Sequence, residues 1–284
     1  MVREYKWRLR VRSYEGDAWG LVPASGILRY LEQSAIDAAD DAGYGPEFHR
    51  ETRSAWVIRR MTLLFDEEPA RTRDDLEIRT WISHFAKVRG GREYRIANAS
   101  TSNMVATGLA EWVYLNRDTF APLQIPADLG TRLDLPGAPL GTYEAPKVLA
   151  LANGPSFRME REARWHEADS MQHINNAIYA DWLDEAMREA VTQMGWSVGA
   201  LKGQGLQLRG EYYYLDYKKA AVPGDLVIIT TRIAGISPTH CAVDQSIVTP
   251  DRVELLRANN VYRWRTGSGE GTEGPEGWVA RFER

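Results

Sequence analysis

The chain has a single cysteine, Cys241, among 284 residues. An intrachain disulfide is therefore excluded, and a lone thiol fits a reducing compartment, so a cytoplasmic protein is expected. Histidine is scarce too. His49, His84 and His166 show no metal-ligand spacing, and neither a metal centre nor a cofactor is expected. No apolar run reaches the ~18 residues of a spanning helix. The opening Met-Val-Arg-Glu-Tyr-Lys-Trp is not the apolar stretch of a signal peptide. An excess of one charge is also lacking. Thirty-five Lys+Arg against 39 Asp+Glu leave a net charge of −4, so no global field draws nucleic acid or a membrane surface. Gly203-x-Gly205 lacks the rest of a phosphate-cradling loop.

What is present is a globular composition, 44% hydrophobic and 26% charged, with length enough for two domains. Residues 5–15 alternate crudely and read as a strand. Pro23 suits the first turn of a helix, and Ile27, Leu28, Leu31, Ala35, Ala38 and Ala39 carry its apolar stripe towards Gly43. Strand-like runs follow at Trp56–Phe65, Asp75–Ile82, Gly91–Ala99 and Met104–Leu115. Pro122–Pro155 is rich in proline and glycine and reads as a connector, or a segment lying over a surface.

The second half repeats this order. Tyr30-Leu31-Glu32 corresponds to Trp182-Leu183-Asp184 at 152 residues, and Asp75-Leu76 to Asp225-Leu226 at 150. Val113-Tyr114 is matched with Val261-Tyr262 at 148. Such a slow drift is what a duplicated domain leaves. The expected fold is α+β, a tandem hotdog in which each half is a curved antiparallel sheet wrapped around a central helix. The expected segments are an N-terminal unit at 1–128, a linker at 129–156, a C-terminal unit at 157–266 and a low-complexity tail at 267–284. That tail is expected to be mobile, with Trp278, Val279 and Phe282 able to dock back.

The chemistry concentrates between Asp169 and Asn176, where an acid, an imidazole and two amides precede a helical stripe of Ile178, Trp182, Leu183, Ala186 and Ala190. Asn175 or Asn176 suits the N-cap and Gly195 the far end. Polar groups beside the positive end of a helix can hold and polarise a carbonyl oxygen. The first half lacks this set, for Leu21 stands opposite His173 and Pro23 opposite Asn175. Only Asp17 matches Asp169.

Several stretches resemble the acyl-acyl-carrier-protein thioesterases of the plant plastid type: Arg12-Ser-Tyr-Glu, Leu31-Glu-Gln-Ser-Ala35, Trp56-Val-Ile-Arg-Arg-Met61, Thr80-Trp-Ile-Ser83 and Ala110-Glu-Trp-Val113 with Asn116-Arg117. In the second half His173-Ile-Asn-Asn176 with Tyr179 and Trp182 carries the likeness. The His-x-Asn-Asn element is shared with smaller acyl-CoA thioesterases. Where the plant pattern reads Asp-x-Asn-x-His, this chain has Asp169-x-Met171-x-His173. Leu215-Asp-Tyr-Lys-Lys219 continues with Ala220-Ala221 in place of the family's Glu-Cys.

The resemblance implies hydrolysis of fatty acyl thioesters of acyl carrier protein. Asp169 would align and deprotonate water or attack the carbonyl, His173 would share that work, and Asn175 would hold water or His173. Asn176, Lys218, Lys219 and Trp56 are the candidate substrate-binding residues. Arg89, Arg92 and Arg95 are further candidates for the phosphopantetheine arm or an acidic carrier. The bland readings are a surface histidine, a plain helix cap and solvated charges. Glu185 reads as structural. His240-Cys241 cannot form a dyad, because adjacent strand residues point to opposite faces. The alternatives are an acyl-CoA thioesterase, a hotdog dehydratase or hydratase, and a non-catalytic acyl-ligand binder. A homodimer is compatible with each.

Overall fold

The computed structural model describes residues 3–132 and 135–282. Residues 1–2, 133–134 and 283–284 of the expected unit, linker and tail lie outside the described residues.

The first half begins with strand β1 (Tyr5–Arg10), helix α1 (Ala24–Asp41) and a short helix α2 (Pro46–Glu51). Strands β2 (Ser54–Phe65), β3 (Asp75–Ala86), β4 (Arg89–Asn98) and β5 (Met104–Asn116) follow. The connector holds α3 (Ala127–Arg132) and the two-residue β6 (Leu149–Ala150). The second half repeats the order with β7 (Ser156–Glu162), α4 (Asn176–Gln193), α5 (Val198–Gly203), β8 (Leu206–Tyr217), β9 (Leu226–Ile236), β10 (His240–Val248) and β11 (Glu254–Thr266).

All the strands join one 11-stranded sheet, β1-β3-β4-β5-β2-β8-β11-β10-β9-β6, with β7 also paired to β9. The seam is the antiparallel pair β2–β8, with Met61 opposite Leu215 and Leu63 opposite Tyr213. Each half curls its strands around its own helix, and α1 and α4 pack against one another. The α1 stripe buries Ile27, Leu28, Leu31 and Ala35. α4 is buried on more of its circumference, through Ile178, Tyr179, Trp182, Leu183 and Met187, because it lies between its own sheet and α1.

The duplication is legible atom by atom. α1 and α4 begin 152 residues apart, as do α2 and α5, and β2 and β8. Arg59 is skipped by the β2–β5 ladder and Glu211 by the β8–β11 ladder, so the same bulge recurs at the same spacing. Past the bulge the offset is 151 between β3 and β9, where Arg10 faces Asp75 as Glu162 faces Leu226, so the match at 150 is corrected by one. It is 150 between β5 and β11, with Trp56 opposite Tyr114 and Leu208 opposite Trp264. Tyr114 therefore corresponds to Trp264. The repeated Val-Tyr dipeptides share letters but not register, and the 148-residue match is corrected to 150.

The Pro-rich connector does lie over a surface. Leu140 and Gly141 give their N–H groups to Glu93, each at 2.8 Å, and Tyr143 gives its hydroxyl at 2.7 Å. Glu93 is fully buried beneath it and also accepts the Trp81 indole N–H. The tail is packed rather than loose. Trp278 is 2% exposed, donates to the Ser237 carbonyl at 3.1 Å and lies 5.1 Å from Trp264.

Candidate active site

The loop before α4 is built around Glu167. Its carboxylate accepts the Arg164 N–H at 2.7 Å and the Trp182 indole N–H at 3.1 Å, and it pairs with Arg161 at 2.5 Å. Burial pushes this carboxyl up, but those donors hold it below the usual range. The loop is thereby pinned to the first turns of α4. The next residues form a tight turn. Asp169 N–H donates to the His173 carbonyl at 2.9 Å, Gln172 N–H to the Asp169 carbonyl at 3.0 Å, and Gln172 has a left-handed φ of 63°. The Asp169 Oδ1 accepts the Met171 N–H at 2.8 Å.

The N-cap is Asn175. Its Oδ1 accepts the Ala177 N–H at 2.9 Å, which leaves its Nδ2 pointing outward. That Nδ2 donates at 2.9 Å to Glu32, which belongs to α1 of the other half. Sequence reasoning did not single out Glu32. Its carboxyl is pushed up by burial, opposed by the Asn175 bond, and raised further by the negative charge of Asp169. Among the described residues no second group bonds this carboxylate, so one oxygen stays open.

Asn176 opens the helix and borders a narrow void with Glu32, Tyr94, Trp112 and Tyr217. Its carbonyl accepts the Tyr217 hydroxyl at 3.0 Å. Ala177 N–H is taken by the cap and Ile178 N–H by the Asn175 carbonyl. The Asn176 N–H has no acceptor among the described residues, and it faces the positive end of α4.

Trp112 borders both this void and a larger cavity of about 370 Å³ inside the first half. Trp56 lines that cavity, stacked on Phe85 at 6.1 Å, and Met171 of the loop reaches its rim. His173 is half-buried, its ring 6.2 Å from that of Phe120 in the first half. Asp169 and His173 thus share one turn, whose Met171 reaches the cavity, although their side chains do not bond each other. Lys218 and Lys219 are exposed on the turn after β8, Lys218 ion-paired with Asp216. The neighbouring Ala221 carbonyl accepts the Ile174 N–H at 2.9 Å, so that turn flanks the loop. Arg89 pairs with Glu111 at 3.4 Å, and Arg95 lies over Trp81 on the outer face. Glu185 is exposed and paired with Arg188 at 3.3 Å. Cys241 is fully buried and its thiol is pushed up by that burial, while His240 pairs with Glu211 at 3.2 Å.

The other half repeats the scaffold without the chemistry. Asp17 makes the same turn, donating its N–H to the Leu21 carbonyl at 2.8 Å, and Gly20 is left-handed where Gln172 is. Leu21 and Pro23 replace His173 and Asn175. Asp184, at the Glu32 position of α4, is tied off by the hydroxyls of Tyr213 at 2.8 Å and Tyr262 at 3.0 Å. The helix mouth therefore carries an open carboxylate and an imidazole on one side of the pseudo-twofold only.

A tandem hotdog in which a loop of one half meets the helix and cavity of the other is of the thioesterase-like class. Residues 163–266 match the family model of the thioesterase-like superfamily, and residues 3–133 that of the acyl-ACP thioesterase N-terminal domain. The first half is thus an acyl-ACP thioesterase N-terminal domain, and the second a thioesterase-like domain. It is 23% identical over 274 residues to a chloroplastic palmitoyl-acyl carrier protein thioesterase of Arabidopsis thaliana, covering 92% of this chain and 63% of that one. It is 24% identical over 194 residues to the chloroplastic acyl-[acyl-carrier-protein] hydrolase FATB2 of Cuphea viscosissima, covering 64% of this chain. The chain spans about half the length of the latter, 47%. A 12:0-ACP thioesterase from Umbellularia californica shares the fold with a TM-score of 0.71 at 17% identity, covering 93% of this chain and 94% of that one. So does an acyl-ACP thioesterase from Bacteroides thetaiotaomicron, with a TM-score of 0.70 at 15% identity, covering 91% and 97%.

Among the described residues no helix is long and apolar enough to cross a membrane, and no cluster of His, Cys, Asp and Glu is arranged to hold a metal ion.

Proposed function

We propose that the protein hydrolyses acyl thioesters at the mouth of α4, the acyl chain lying in the first-half cavity and the thioester presented by acyl carrier protein. The observation that carries this reading is the Asn175–Glu32 bond. It brings a second carboxylate, from one half, to the loop of the other half that carries Asp169 and His173, on a void that shares Trp112 with the larger cavity.

A thioester carbonyl needs an attacking oxygen, a proton acceptor and donors for the developing oxyanion. The free N–H of Asn176, with its side-chain amide beside it, supports the donor role at the helix end. Asp169, its Oδ1 occupied by Met171, has its other oxygen left to align water or to attack the carbonyl directly. Glu32 is the proton acceptor, because burial raises its affinity for a proton. His173 stabilises the charged intermediate from the same turn. Asn175 acts through Glu32, whose carboxylate it holds, and is a positioning residue. Lys219 stands at the flank where a phosphopantetheine arm would pass, and Trp56 lines the acyl wall. The site is assembled within one chain, so a homodimer is an addition to the chemistry rather than a condition for it.

A coenzyme A carrier is the second reading, favoured by the His173-Ile-Asn-Asn176 element. Mass-spectrometric measurement of acid release from matched acyl-carrier-protein and coenzyme A thioesters separates the two. Cleavage of the coenzyme A esters alone would remove the carrier protein from the proposal, and absence of cleavage of either would remove the hydrolysis.

A further inference from the structure

Strand β4 turns alternate side chains towards α1. Tyr94 and Ile96 are buried on that inner face, whereas Glu93 and Arg95 meet the connector and Trp81 on the outer one. Arg92 has the inner parity. It sits between Ile82 of β3 and Ala110 of β5 and lines the 370 Å³ cavity with Trp56, Phe85 and Trp112. Among the described residues only one of its five N–H donors is bonded, Nη1 to the Thr80 hydroxyl at 3.2 Å. No carboxylate pairs with it among the described residues. Burial lowers its pKa, yet a guanidinium remains charged at any working pH.

The fold itself does not require an arginine there. By ladder register Arg92 corresponds to Val243, 151 residues on, since Ala110 pairs with Arg92 as Asn260 pairs with Val243. Val243 is 1% exposed in an apolar core with Ile233, Cys241 and Trp264, and does not line the cavity of its own half. The twin of Cys241 is Gly90, and a Cβ at Gly90 would come within 2.9 Å of the Phe85 ring. One half thus fills this place with a thiol and an isopropyl group. The other opens it and puts a cation in the opening. A partly buried charge with a single acceptor, the Thr80 hydroxyl, is costly to keep, and an occupant that supplies a further acceptor reduces that cost.

We infer that the acyl group taken by this cavity carries an oxygen acceptor along its chain (carboxylate, hydroxyl or keto) and that Arg92 recognises it. The inference rests on the thioesterase reading for its reaction but not for its binding.

The test compares plain alkanoyl, 3-hydroxyalkanoyl, 3-oxoalkanoyl and ω-carboxyalkanoyl thioesters of matched length on one carrier. The expected result is a preference of about 10–100-fold in kcat/KM for one oxygenated class, the size of a hydrogen bond to a charged group. That preference should disappear in Arg92→Met. In Arg92→Lys it should survive in part, because the charge and a donor remain, and fall further for a carboxylate, whose two oxygens match the planar fork that lysine lacks. Arg92→Met should also melt higher than the parent, because it removes the unpaired charge.

Plain chains turned over as fast as every oxygenated one, with ratios unmoved by Arg92→Met, would overturn the inference. If none of the thioesters is hydrolysed, calorimetric binding of the free hydroxy, oxo and dicarboxylic acids decides instead. Arg92-dependent tightening sustains the inference, and equal binding of the plain acids overturns it.

Discussion

Glutamine at position 32 separates the two things the Glu32 carboxylate does. As a structural acceptor it takes the Asn175 amide at 2.9 Å, and a glutamine carbonyl oxygen can accept the same bond. As a charge it is raised in pKa, first by burial and then by Asp169, against the pull of Asn175. The folded chain therefore holds this proton to higher pH than the unfolded chain does. Between the two values the folded state binds more protons, so stability falls as pH rises through that interval and the loss is complete above it. Each pH unit of elevation corresponds to about 1.4 kcal/mol. Glu32→Gln abolishes that loss. Its Tm at pH 8 should exceed the parent's by roughly 2–4 °C per kcal/mol recovered for a chain of this size, and the gain should shrink towards pH 4. Over the same range kcat should fall by about 10²–10⁴-fold, the usual contribution of a positioned base. Melting curves at both pH values, run beside thioester hydrolysis, test the pair of effects together. A Glu32→Gln protein that keeps the parent's turnover, or that melts lower at pH 8 relative to the parent than at pH 4, would refute the reasoning.

Asp169→Asn should keep the turn, since an amide oxygen still accepts the Met171 N–H, and lose about 10²-fold or more in kcat with an unchanged circular dichroism spectrum. Asp184→Asn is its contrast. That side chain is tied to Tyr213 and Tyr262 in the half without the chemistry, so the variant should lower the denaturation midpoint while hydrolysis per folded molecule stays at the parent's level. Gly90→Val crowds the cavity against Phe85 and should shift the chain-length profile of released acids towards shorter ones by mass spectrometry. Trp278→Ala empties a packed aromatic site and should cost about 3–5 kcal/mol in denaturant unfolding without altering KM.

The duplication and the polar loop before α4 were legible because both rest on local signals. One is a repeated helical stripe, the other a cluster of polar groups before it. The triplets Tyr30-Leu31-Glu32 and Trp182-Leu183-Asp184 already paired the two acids that matter. Nothing local distinguishes the open Glu32 from the tied Asp184, because the difference lies in what stands across the seam. Glu32 meets Asn175 from 143 residues away, and Asp184 meets two tyrosines of its own sheet. The third repeat match failed by two residues for a related reason. Identical letters are weaker than ladder register, and only the Arg59 and Glu211 bulges fix that register. Arg92 read as one more basic residue, since strand parity decides direction only once the strand's limits are known. The tail's glycines concealed how firmly Trp278 anchors it, because composition counts flexible residues and not the socket that receives one indole.

The β2–β8 seam has a consequence for how such a protein can change. Were the halves separate and identical, any substitution in the helix would appear twice, once at each mouth, and a gain at one would be tied to a loss at the other. Joining them on one chain breaks that bond. Position 32 is free to keep an open carboxylate while position 184 drifts towards bracing, and neither alters its counterpart. The asymmetry between an unfastened carboxylate and a clamped one is what that liberty looks like once it has been used.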